Sequence, residues 1–170
     1  MSSTADRILE AIAKYDGKHT VALASSFATL SGENDFVATL LDLTLSDTAR
    51  QREASSWMIL QAARQGHNLT TTEYRNLEGV LDHCTDWPSQ LHICQIIALS
   101  APPEELCDSF VDWLTPLLSH GRPFLRAWSL SALARIASSC SRHRDTAKIA
   151  LSEATEDKAA SVRARARRLT

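Results

Sequence analysis

The stretch Arg122-Pro123-Phe124-Leu125-Arg126-Ala127-Trp128 returns, altered, as Ala159-Ala160-Ser161-Val162-Arg163-Ala164-Arg165. Each copy places an aliphatic-Arg-Ala step at the opening of an amphipathic run, and Leu125 and Val162 stand 37 residues apart. From Leu125 the apolar positions continue through Trp128, Ala132, Leu133, Ile136, Ala137 and Cys140, the spacing of one helix face. The run before it is as regular: Leu106, Phe110, Trp113, Leu114, Leu117, Leu118. Between them lie His120-Gly121-Arg122-Pro123, where Gly can close one helix and Pro can open the next. Trp113 and Trp128 fall on these stripes and read as core. Removal of the Trp128 side chain is then expected to cost about 3–5 kcal/mol, the range for a buried aromatic.

Working outward, the same periodicity predicts helices near 4–15, 19–31, 34–45 and 48–65, with breaks at Asp16-Gly17, Ser31-Gly32 and Gly66. Thr70-x-x-Glu73 is a capping box and opens a fifth helix. Asp86-Trp87-Pro88 opens a sixth. Pro102-Pro103-Glu104-Glu105 opens the Leu106 helix, with acid in the first turn where the helix dipole favours it. Beyond the Leu125 helix, a ninth covers about 142–154 and a tenth begins near Glu156-Asp157. Gly79 weakens the fifth helix by roughly 1 kcal/mol relative to Ala. Pro116 is expected to kink the Leu106 helix near Asp112. No segment alternates as a half-buried strand does.

The helices repeat as pairs. Pro88-Ser89-Gln90-Leu91-His92-Ile93-Cys94 matches the opening quoted above, with Leu91 34 residues before Leu125. Arg52-Glu53-Ala54-Ser55-Ser56-Trp57 matches more loosely, with Arg52 39 residues before Leu91, and Val21-Ala22-Leu23 more loosely still. About five units of roughly 31–39 residues result. A single pair of this size cannot bury both its apolar stripes, whereas stacked pairs share one continuous core. On these second-helix openings the chain resembles the HEAT-repeat family of α-solenoids and its armadillo relatives. The resemblance implies an all-α fold, a right-handed α-solenoid of about five HEAT-like helix pairs, over residues 1–170 as a single domain. Its carrying residues are Asp157 through Val162-Arg163-Ala164 and Pro123 through Leu125-Arg126-Ala127. The match is sharp over about 85–170. Unit two departs from it, with Arg52-Glu53-Ala54 where the pattern has aliphatic-Arg-Ala.

Composition bounds the function. A chain of 170 residues with 44% hydrophobic and 22% charged residues is an ordinary globular domain. No run reaches the ~18 apolar residues of a membrane span. The N-terminus lacks the blocks of a signal peptide, so the expected location is cytoplasmic and Cys84, Cys94, Cys107 and Cys140 are expected as reduced thiols. The net charge of −2 hides an asymmetry. Residues 1–119 hold 7 Lys+Arg and 16 Asp+Glu, a net −9; residues 120–170 hold 11 and 4, a net +7. Such a basic end attracts an anionic partner or the acidic end of another copy.

Each candidate chemistry has a plainer explanation. His83, Cys84, His92 and Cys94 lack the tight pairing of metal ligands, and the two cysteines fall on apolar helix faces. No metal and no cofactor are expected. No nucleophile elbow, zinc-protease or phosphate-loop motif is present, so no catalytic residue is assigned. The expectation is a non-catalytic protein–protein interaction or scaffold module, presenting a solenoid groove with a basic C-terminal patch. Its partner is a protein or peptide with an acidic segment; the oligomeric state stays open. The alternative is a nucleic-acid-binding or DNA-repair protein similar to the HEAT-like alkylpurine DNA glycosylases. Arg163, Arg165, Arg167 and Arg168 suit phosphates, but no catalytic acid of that family can be matched. His92, Arg126 and Arg163 each follow the aliphatic residue that opens a second helix, so they are expected to line one edge. Arg122 and Arg167, one turn away, widen it into the binding patch. The competing explanation is that these arginines bond acids and loop carbonyls and hold the stack together.

Overall fold

The computed structural model describes residues 3–170, which form ten α-helices, three single-turn 3₁₀ segments and no strand. The helices are α1 (Thr4–Ala13), α2 (Val21–Leu30), α3 (Phe36–Leu43), α4 (Ala49–Arg64), α5 (Thr71–Val80), α6 (Trp87–Leu99), α7 (Cys107–Leu117), α8 (Pro123–Ser139), α9 (Arg144–Ala154) and α10 (Ala160–Leu169). The all-helical expectation and the ten segments are what the chain adopts. None of these helices is long and apolar enough to cross a membrane.

Local chemistry sets the ends. Thr70 accepts from the Glu73 N–H while Glu73 accepts from the Thr70 N–H, so the capping box opens α5. Ser3 and Asp6 do the same for α1. Gly17 and Gly66 sit at positive φ, 83° and 98°, in the breaks after α1 and α4, where a side chain would be strained. Pro123 is the first residue of α8, where its missing N–H is no loss. Pro116 is the next-to-last residue of α7, so its missing bond falls in the closing turn.

The chain divides into two compact units, residues 1–89 and 90–170. In the first, α1 packs on α3 and α3 on α5, while α2 packs on α4; α1–α2 and α3–α4 also pack as pairs. Odd helices thus neighbour odd ones and even helices even ones, and α1 also packs on α4. Its core includes Ile8, Leu23, Phe36, Leu40, Met58, Tyr74 and Leu77. Phe27 and Phe36 meet edge to face at 5.7 Å.

In the second unit α8 is central, packing against α7, α9 and α10. It buries Leu125, Leu130, Leu133 and Ile136 together with the small Ala127, Ser129, Ser131, Ala132 and Ala137. Small residues let helices approach on several sides at once. One stripe of α8 stays open: Phe124, Trp128, Arg135 and Ser138, spaced as one helix face, with buried Ser131 beneath them. Trp128 and Trp113 are therefore half-buried rather than core. The stripe rule places an aromatic on the right face but not at the right depth, and an indole is large enough to lie at the edge of that face.

Candidate functional site

Two arginines repeat one piece of geometry. Arg52, near the start of α4, donates from Nη1 to the Ser46 carbonyl at 2.8 Å and from Nε to Asp86 Oδ2 at 2.9 Å. Arg126, near the start of α8, donates from Nη1 to the His120 carbonyl at 2.8 Å, and from Nε and Nη2 to the two Asp157 oxygens at 2.8 Å each. In both cases the carbonyl lies six residues before the arginine, and the acid lies just before the next even-numbered helix. Each acid also accepts a main-chain N–H there, Ser89 for Asp86 and Ala159 for Asp157. One carboxylate thus steadies its own helix start and holds the arginine of the preceding even-numbered helix. Arg163 repeats the carbonyl bond six residues back, to Asp157 at 2.7 Å. This shifts the unit alignment: Arg52 corresponds to Arg126, and so lies one place off the alignment with Leu91.

These contacts locate the expected patch residues. Arg126 is only 5% exposed, and its guanidinium is occupied by Asp157 and the His120 and Gly121 carbonyls. That hydrogen bond holds the Asp157 carboxyl below the usual carboxylate range, against the opposing effect of burial. Arg163 is half-buried on the Asp157 and Lys158 carbonyls. His92 is half-buried in α6, Arg122 is exposed at the start of α8, and Arg167 is exposed in the last turn of α10. Arg126 and Arg163 therefore both bond Asp157, the first at its carboxylate and the second at its carbonyl.

The open stripe of α8 gives a different site. Trp128, Ser131, Arg135 and Ser138 of α8, with Arg165 and Leu169 of α10, line a groove of about 360 Å³. The Arg165 guanidinium carbon lies 4.2 Å from the Trp128 ring centroid, a cation–π stack. Burial, and then the nearby charge of Arg168, lower the Arg165 pKa from its ordinary value. A guanidinium stays charged regardless. No acid lines the groove, and neither Arg135 nor Arg165 has an ion-pair partner among the described residues. The arrangement offers a rigid, partly desolvated cation on an aromatic plate, with a second cation beside it. Cations so placed have the charge and the fork geometry to bond a carboxylate or a phosphate.

A sequence signal for this groove existed. Trp128 lies two residues after Arg126, and Arg165 two residues after Arg163. The two residues hold the same place relative to those arginines, and the stack brings them together. The four cysteines are all buried and unpaired. Burial pushes the Cys84 thiol up to about 12 and the Cys107 thiol, beside Cys140, also up to about 12. No group of three or more potential metal ligands occurs among the described residues. No protein-family model, curated protein or solved structure matches the chain.

Proposed function

We propose that this chain is a non-catalytic interaction module, built of about five HEAT-like helix pairs stacked as a right-handed α-solenoid, that docks an acidic segment of a partner protein. The observation that carries the docking reading is the groove in which Arg165 rests on Trp128 beside Arg135, with no acid among its lining residues. The solenoid reading is supported by the odd-with-odd and even-with-even packing within the first unit. It is also supported by the carbonyl bond that recurs six residues before Arg52, Arg126 and Arg163. Four unpaired, buried thiols suit a reducing, cytoplasmic setting.

Titration with a labelled Glu-rich peptide tests the docking reading. The wild-type chain is expected to bind it, and the Arg135→Gln, Arg165→Gln double variant to lose that binding while its melting temperature falls only by the few degrees that loss of the Arg165–Trp128 stack accounts for. Retention on duplex DNA at low salt, lost steeply as salt is added, would turn the assignment towards nucleic acid.

A further inference from the structure

A second cleft, of about 500 Å³, continues the groove. Ala134, Ser138 and Leu169 wall both cavities, so the two form one surface. The floor of the second is small and apolar, with Ala137, Ala147 and Leu151 beside the shared Ala134 and Leu169. At its edge stand Arg144 and Lys148, one turn apart on α9. Both are exposed, neither has an ion-pair partner among the described residues, and no Asp or Glu side chain lines this cleft either. Arg144 is the first residue of α9, where the helix dipole opposes a cation.

We propose that the joined clefts hold a partner segment with apolar side chains in its middle and carboxylates at both ends. The inference rests on the docking reading above and adds the occupant's pattern. The apolar middle covers Ala134, Ala137, Ala147 and Leu151. Carboxylates at one end meet Arg135 and Arg165, and those at the other meet Arg144 and Lys148. The cavity volumes lie within the range of ligand sites. A nucleic-acid strand fits less well. One face of Trp128 is already covered by Arg165, so that face is closed to a stacking base. Phosphates would also leave the apolar floor uncovered.

The test uses the full chain and two labelled peptides, one with a Leu-Phe pair between two Glu clusters and one with Ala-Ala in place of that pair. Fluorescence anisotropy should show the Leu-Phe peptide binding at least about tenfold more tightly. The Arg144→Glu, Lys148→Glu double variant should weaken that peptide by a similar factor. Its melting temperature should hold or rise, because Glu suits a helix start. Equal affinity for the two peptides, or unchanged binding by the charge-reversed variant, overturns the inference and leaves the docking groove standing. Failure of both peptides to bind the wild-type chain removes the docking reading itself.

Discussion

Replacing Arg126 by Gln removes one side of a nearly buried ion pair. The guanidinium makes two 2.8 Å bonds to Asp157 and two to main-chain carbonyls, at 2.8 and 3.3 Å. Glutamine can restore at most one or two of these. The Asp157 side chain, only 16% exposed, is left as a carboxylate without its counter-charge. Breaking a buried pair from one side costs about 3–5 kcal/mol, most of it from the orphaned charge. For a chain of this length that lowers the melting temperature by roughly 6–20 °C, at about 2–4 °C per kcal/mol. Thermal and urea unfolding followed by circular dichroism measure it. Asp157→Asn should cost less, since it leaves a cation with two carbonyls still in place. The double variant should fall well short of the sum, because the second change removes a charge already stranded. Acid supplies an independent check. The Asp157 pKa is depressed in the folded state, so its contribution is complete above the usual carboxylate pKa, about 4, and is lost as pH falls through the folded value. The Arg126→Gln variant should show a shallower acid loss. A cost under about 1 kcal/mol, or an acid profile identical to wild type, would refute the clamp.

Two further outcomes follow from burial. Trp128→Ala should cost about 1–2 kcal/mol, well below a core aromatic, since the ring is half in water and loses mainly its stack with Arg165; a loss above about 3 kcal/mol would return it to the core. The four thiols should be silent to a thiol reagent in the native chain at neutral pH and react together on denaturation, as their burial requires; a fast-reacting native thiol would contradict their placement.

Most of the helices were legible in the sequence because their boundaries are written in local chemistry. Thr70 and Glu73, Pro123, Gly17 and Gly66 each act within one turn of themselves. The proposed repeat is clearest in the sequence at its C-terminal end, where Leu125-Arg126 and Val162-Arg163 both set an aliphatic residue before an arginine. It blurred at Arg52, where the preceding Gln51 hides the register that the Ser46 carbonyl and Asp86 fix in space. The candidate site was harder to find. Sequence spacing put Arg126 and Arg163 on one edge but could not show that Asp157 occupies both. Depth was equally hidden: Trp128 and Leu133 share a helix, yet only the packing of α7, α9 and α10 around it determines which of them is sealed.

The clamp also governs how such a chain can change by descent. Arg126, in α8, and Asp157, just before α10, are 31 residues apart, yet neither can be lost alone without stranding the other. Their codons are therefore expected to drift together, and a lineage that replaces one with an apolar residue should replace both. Gain or loss of a helix pair meets the same condition. A pair inserted after α8 would have to open with an acid at the place of Asp157, and a deletion that removed α10 with its leading residues would leave a buried cation unmatched. Length variation in this chain is then expected in the loops between pairs, or in whole blocks that carry an arginine and its acid together.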